Sequence, residues 1–159
     1  MANLKPAHGN VSTVSLALTT ASVTPGVPLC YVGTPGDGGY LGPGAPTSAV
    51  GIIAVCAETK NGAATGRSAL ASANANGDEE VLCYPATVNN RFLAVCSSTP
   101  TQTMMEIAFG VAATGVIANE TTAEPQFVIE EIVDATAKTV IGRFVGGGFT
   151  TRVLYAVGT

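Results

Sequence analysis

Apolar residues in this chain come in short runs of strand length, and turn-forming residues interrupt them at roughly 8–12-residue intervals. Val14, Leu16 and Leu18 alternate with Ser15, Ala17 and Thr19; a period of two marks a strand with one face buried. Residues 27–32, 50–57, 79–84, 91–97, 104–111, 115–118, 127–133, 139–145 and 151–157 read as further strands. Thr24-Pro25-Gly26, Asn61-Gly62 and Asn76-Gly77-Asp78 are turn signals between them. Residues 63–75 are rich in Ala, Ser and Asn, and Gly66 interrupts them, so they read as loop or one short helix. No amphipathic helix of ordinary length is visible. The expected fold is all-β: a small antiparallel barrel or sandwich of about ten short strands. At 159 residues the chain is most simply one domain. Residues 1–13, polar and containing Pro6 and Gly9, are expected to form an extended N-terminal arm, ordered only where it lies on something. Residues 14–159 make the single β domain.

Two stretches look like copies of each other. Leu29-Cys30-Tyr31 is followed by Ala54-Val55-Cys56, and Leu82-Cys83-Tyr84 by Ala94-Val95-Cys96. Each copy reads as a pair of strands, which suggests a duplicated β unit. All four cysteines lie in this pattern, with no CxxC pair and no histidine nearby, so a zinc site is poorly supported. The preferred reading is buried thiols acting as small hydrophobes. Cross-strand disulfides, Cys30–Cys56 and Cys83–Cys96 if each repeat is a hairpin, are the alternative for an exported chain.

The pattern carries more local expectations. The run at 50–57 is continuously apolar, as in a strand buried on both faces. Residues 33–46 are dense in glycine and proline but lack GK[ST] and a following helix pattern, so they read as a long exposed loop rather than a phosphate cradle. In 104–111 the apolar set Met105, Ile107, Phe109 and Val111 is expected to face the core. Residues 127–133 and 139–145 read as a hairpin closed by Ala135–Lys138. With Asp134 opposite Thr139, Glu130 faces Arg143 and Ile129 faces Phe144.

Charged residues are only 11% of the chain, against about 25% in an average soluble domain. So few charges suggest that other subunits cover much of the surface. The net charge is −4 and the seven Lys and Arg are scattered singly, which argues against nucleic acid. Trp is absent, so stacking platforms for bases or sugars are poorly supported. No apolar run approaches the roughly 20 residues of a membrane helix. The opening residues do not read as a secretory signal. The sequons at Asn10 and Asn119 are therefore expected to carry little meaning.

No catalytic constellation emerges. His8, the single histidine, lies in the arm. Glu106, Glu120, Glu124, Glu130, Glu131 and Asp134 could supply paired carboxylates, but alternation puts Glu130 and Glu131 on opposite faces. Asp78-Glu79-Glu80 lacks the spacing of a calcium loop and reads as a solvated turn. Arg91, five residues before Cys96, is the one cation near a thiol. No catalytic, cofactor or metal residue is assigned, and no enzyme is expected.

The polar arm of residues 1–10, the Val23-Thr24-Pro25-Gly26 turn opening a charge-poor body rich in Gly, Ala and Thr, and the late strand at residues 138–145 together resemble a family: the capsid decoration, or cement, proteins of tailed bacteriophages. The resemblance is to general design over the whole chain. It implies a small β barrel or sandwich, often a homotrimer, seated on the outer surface of the phage head and bridging major capsid protein subunits. It also implies assembly in the host cytoplasm, with reduced cysteines. The glycine-rich loop and the length depart from the simplest members. The alternative is a non-catalytic β-sandwich binding module, such as a cell-surface or phage-fibre adhesin that binds carbohydrate.

Overall fold

The computed structural model describes residues 4–7, 11–18, 23–31, 41–43, 51–59 and 79–145. The expected arm beyond residue 7 to residue 10, most of the 33–46 loop, the 63–75 segment and the last strand at 151–157 lie outside them. The chain is all-β. The strands are β1 (Leu4–Pro6), β2 (Val14–Leu18), β3 (Pro28–Tyr31), β4 (Leu41–Pro43), β5 (Ile52–Cys56), β6 (Glu79–Pro85), β7 (Phe92–Val95), β8 (Ala108–Val111), β9 (Ile117–Ala118), β10 (Phe127–Asp134) and β11 (Thr139–Phe144). The only helix among the described residues is a 3-10 turn at Gln102–Met104, so none there is long and apolar enough to cross a membrane.

The strands form two bodies. One is a closed barrel in the order β2-β4-β3-β5-β6, with β6 returning to β2. Its pairings are antiparallel except where Leu18 meets Leu41 in a parallel contact of β2 with β4. The other is a six-stranded sheet in the order β1-β7-β11-β10-β8-β9. Burial divides the same way. Val23, Leu29, Leu41, Ile53, Ala54, Cys56, Val81 and Cys83 fill the barrel. Cys30, Ile52, Val55 and Ala86, on the other side of the barrel wall, join Leu4, Phe92, Phe109, Phe127, Ile129 and Phe144 of the sheet in a second core. The barrel wall is thus shared by two cores.

Strand β5 needs its uninterrupted apolar run because it has no solvent face: Ile52 through Cys56 are all buried. Between Leu29↔Ala54 and Cys30↔Ile52 the register slips, leaving Ile53 as an extra residue. That bulge turns Ile53 and Ala54 into the same core although they are neighbours in sequence. Pro28 opens β3, where its missing N–H costs nothing to the strand interior.

Several expectations are corrected. The repeat in the sequence is not a repeat in space: β3 and β5 pair, but β6 stays in the barrel while β7 crosses into the sheet. Pro85 ends β6, and a turn with Asn90 N donating to Thr87 O carries the chain across. Residues 33–46 are not loop throughout, since β4 lies within them and links β3 to β2. Residues 4–7 of the expected arm lie on the sheet: β1 pairs with β7, Ala7 N donates to Arg91 O, and Leu4 is in the core. The strand expected from residue 104 begins only at Ala108, because Glu106 adopts φ 61° and breaks the alternation; Phe109 and Val111 are buried, but Ile107 is exposed.

The β10–β11 hairpin forms with Asp134 opposite Thr139 as expected, yet its register differs beyond that pair. Bulges at Val133 and Glu130 slide the partners, so that Ile129 meets Gly142 and Phe127 meets Phe144. Phe144 then stands edge-on to both Phe127 and Phe92, at centroid distances of 5.3 and 5.2 Å, an arrangement that aromatic quadrupoles favour.

Candidate functional site

Three polar groupings stand out, and each is built from a bulge, a turn or a strand end. The first is centred on Glu130. The bulge that displaces it from the β10 ladder turns its carboxylate toward two cations: Arg143 Nε donates to its Oε1 at 2.7 Å, and Arg91 Nε pairs with its Oε2. The expected Glu130–Arg143 pairing therefore forms, although Arg143 is opposite Val128 in the ladder. All three side chains retain partial solvent contact. Such a pair of bridges ties β7 to the hairpin modestly, and it occupies the carboxylate that a glycoside site would need.

The second is Asn119, 2% exposed and the buried polar residue of the described core. Its Oδ1 accepts from Ser97 Oγ (3.1 Å), Ser98 N (2.9 Å) and Ser98 Oγ (3.0 Å). Its Nδ2 donates to Ser98 O (3.1 Å) and Met104 Sδ (3.4 Å). One amide thus ties the segment after β9 to Ser97 and Ser98 after β7 and to Met104 of the 3-10 turn, and its own buried polar atoms are satisfied in doing so. Sequence reasoning passed over Asn119 as a sequon of little meaning. A side chain enclosed in this way is not presented for glycosylation in the folded chain.

The third is the set of thiols. Cys30, Cys56, Cys83 and Cys96 are all buried as thiols, in keeping with their expected use as small hydrophobes. Burial raises the Cys96 thiol to about 11. Burial, then Cys56 and Glu58 nearby, push Cys83 up to about 12. Burial also raises Cys56, against the lowering effect of a backbone hydrogen bond from Glu58; as a thiol its Sγ donates to the Glu58 carbonyl at 2.9 Å. Protonated thiols in such settings are poor nucleophiles.

The remaining carboxylates serve local structure. Asp134 Oδ1 accepts from Thr136 N and Ala137 N and so shapes the hairpin turn. Glu80 accepts from Ser15 Oγ across β6 and β2, and Glu58 Oε1 accepts from Leu82 N. Glu106, Glu120 and Glu131 are exposed. Glu124, at φ 50°, turns its Oε2 away from solvent with no hydrogen-bond partner among the described residues. His8 and Asp78 lie outside the described residues. Among those described, no three His, Cys, Asp or Glu side chains come together as metal ligands would.

No protein-family model, no curated protein sequence and no solved structure matches the chain.

Proposed function

We propose that the protein is a structural component of a virion, a decoration protein that sits on the outer surface of a tailed-phage head and bridges major capsid protein subunits. The observation that carries the reading is a small, half-buried apolar patch on the sheet, Leu93, Val95 and Ile141, bounded by charge. Phe92, Ala94, Val140 and Phe144 point into the core, so alternation turns Leu93, Val95 and Ile141 to the face away from the barrel. Ladder pairing aligns Lys5, Leu93, Ile141 and Glu131 across that face. A strip of this kind on a chain with 11% charged residues suits contact with another protein.

At one end the sheet offers β1 as its outermost described strand; at the other, β9 is bridged at Ile117 by Cys96, and Ser97 N donates to Ile117 O, so that edge is engaged by the chain itself. A strand edge can take an extended segment of a neighbour, with main-chain hydrogen bonds giving affinity. The part of the arm that forms β1 is engaged with β7 of its own chain, so bridging rests on the edge and the sheet face rather than on a loose tail. A homotrimer would set three such footholds on a local threefold of the shell, raising avidity by roughly 10²–10⁴.

Light scattering of the purified chain reads its oligomeric state, and co-sedimentation with expanded heads of the phage that encodes it reads binding. A trimer that saturates heads supports the proposal, and loss of binding in Ile141→Glu with the fold intact locates the contact. A monomer that stays in the supernatant overturns it.

A further inference from the structure

We propose that Cys56 and Cys83 are a latent disulfide site: the pair closes into a cross-strand bond across β5 and β6 when the chain folds in the presence of a small-molecule disulfide. The bond is independent of the virion assignment.

The case begins with register. Cys56 and Cys83 are direct partners in the β5–β6 ladder. Ala57 N donates to Leu82 O at 2.9 Å, and Ala86 N donates to Ile53 O at 3.0 Å. These bonds set the phase of the ladder, in which hydrogen-bonded and non-hydrogen-bonded pairs alternate. Cys56 and Cys83 occupy a non-hydrogen-bonded pair, consistent with Cys56 N donating to Val27 O on the other side. Pro85, opposite Ala54, occupies another such pair, where no N–H is required toward β5. In a pair of this type the Cα atoms stand about 4.5 Å apart. That is inside the range of about 4.4–6.8 Å that disulfides span.

Direction supports the same conclusion. Cys56 and Cys83 both point into the barrel core, so their Cβ vectors share a face. Cys30 and Cys96 belong to the core between barrel and sheet. The pairings Cys30–Cys56 and Cys83–Cys96, expected if each sequence repeat were a hairpin, would each join residues of two different cores across the barrel wall. The topology leaves 56–83 as the laddered pair.

The chemistry is thiol–disulfide exchange. One cysteine thiolate attacks a sulfur of glutathione disulfide, forming a mixed disulfide and expelling one glutathione thiolate. The second cysteine thiolate attacks the protein sulfur of that mixed disulfide and expels the second. The pair loses two protons and two electrons, and two molecules of glutathione are produced. Both thiols are enclosed in the folded barrel: Cys56 Sγ donates to Glu58 O at 2.9 Å, and Cys83 Sγ contacts Val14 O at 3.5 Å. Exchange therefore takes place on the unfolded or opening chain. Once made, the bond is shielded from reductants by the same walls.

The test is to unfold the full chain in guanidinium, refold it with glutathione disulfide in one arm and with reduced glutathione in the other, and remove the glutathione. Denatured alkylation is expected to find two thiols in the first arm and four in the second. Digestion with trypsin and Asp-N cuts before Asp37 and Asp78 and after Lys60 and Arg91, placing each cysteine on its own fragment. The expected linked species joins the Cys56 and Cys83 fragments at two hydrogens below their summed mass. The oxidised form is expected to melt roughly 5–15 °C higher than the reduced form. That shift should vanish in Cys56→Ala and Cys83→Ala and persist in Cys30→Ala. Four alkylated thiols after oxidative refolding, or a link that joins any other pair, overturns the proposal. Because the unsubstituted chain carries the mass measurement, a variant that fails to fold does not spoil the test.

Discussion

Phe127 lies across Gly142, two residues before its ladder partner Phe144, with ring atoms 2.5 and 2.9 Å from where a β-carbon on Gly142 would stand. The carbonyl oxygen of Val128 would be closer still. The glycine is therefore required by packing inside a strand, where it otherwise weakens the sheet. Gly142→Ala is expected to destabilise the fold by about 2–4 kcal/mol, because β10 and β11 must part or the ring must leave its site. The second substitution Phe127→Leu does not rescue it, since the carbonyl clash remains. Urea unfolding of the three variants checks both statements, and full rescue by Phe127→Leu would mean that the ring alone sets the constraint.

Asn119 holds two segments with one amide, so its loss strands several groups at once. Asn119→Ala removes the acceptor used by Ser97 Oγ, Ser98 N and Ser98 Oγ, and the donor used by Ser98 O. A buried group left unpaired costs about 1–3 kcal/mol, but Ser97 is exposed and Ser98 half-buried, so water re-pairs part of what is lost. The expected loss is roughly 1–3 kcal/mol, concentrated in the segments after β7 and β9. Hydrogen exchange should show faster exchange at Ser98 N than in the parent, with the barrel strands little changed. Uniform loss of protection across the chain would show instead that Asn119 supports the whole fold.

The all-β character was legible from the chain because it depends on local period: β2, β5 and the β10–β11 hairpin all fall where alternation or a continuous apolar run puts them. What the period could not supply is the extra residue. Bulges at Ile53, Glu130 and Val133 each insert one position, and every pairing beyond a bulge is displaced. That is why Ile129 meets Gly142 rather than Phe144. Strand β4 was hidden because Gly42 and Pro43 favour loops, and only long-range pairing with β3 and β2 makes Leu41–Pro43 a strand. The second half of the sequence repeat misled for a related reason: β6 shares Leu-Cys-Tyr with β3, and β7 shares Ala-Val with β5, but the turn after Pro85 sends β7 to another sheet. As for polar groupings, the Glu130–Arg143 contact was visible as opposite charges facing across a hairpin. The Asn119 hub was not, because a buried amide and a surface amide look alike in sequence.

Lys138 closes the β10–β11 turn in a left-handed conformation, φ 59°, which costs an ordinary L residue about 1 kcal/mol or more. Its Nζ donates to Ser97 O at 2.9 Å, partly offsetting that strain. Lys138→Gly removes both the strain and the bond, so it is expected to be neutral within about 1 kcal/mol. Lys138→Val keeps the strain, worsens it by branching at Cβ, and loses the bond, so it should cost about 1–3 kcal/mol. Chemical denaturation midpoints of the two variants separate backbone strain from the side-chain contact. A Val variant as stable as the Gly variant would show that the turn relaxes out of the left-handed region.

Alkaline pH should unfold this protein through its buried thiols. The thiol of Cys83 is raised from 9.0 to about 12 and that of Cys96 from 9.0 to about 11. In each case the folded state holds the proton more tightly than the unfolded chain. Between pH 9 and the folded value the folded state binds more protons, so stability falls as pH rises. The contribution is fully present below pH 9 and is lost progressively up to about 11 for Cys96 and about 12 for Cys83. By pH 11 each thiol should have cost roughly 2 kcal/mol of the stability measured at pH 8. Replacing either with alanine, which cannot ionise, lowers stability at pH 8 by leaving a small void but flattens the alkaline limb. Urea midpoints taken from pH 8 to pH 11 on the reduced parent, Cys83→Ala and Cys96→Ala read the slopes directly. Parallel slopes in all three would mean that water reaches these thiols in the folded barrel and that burial does not govern their ionisation. Closing Cys56 to Cys83 removes two of the titrating thiols, so the oxidised protein should hold its midpoint further into alkali than the reduced one.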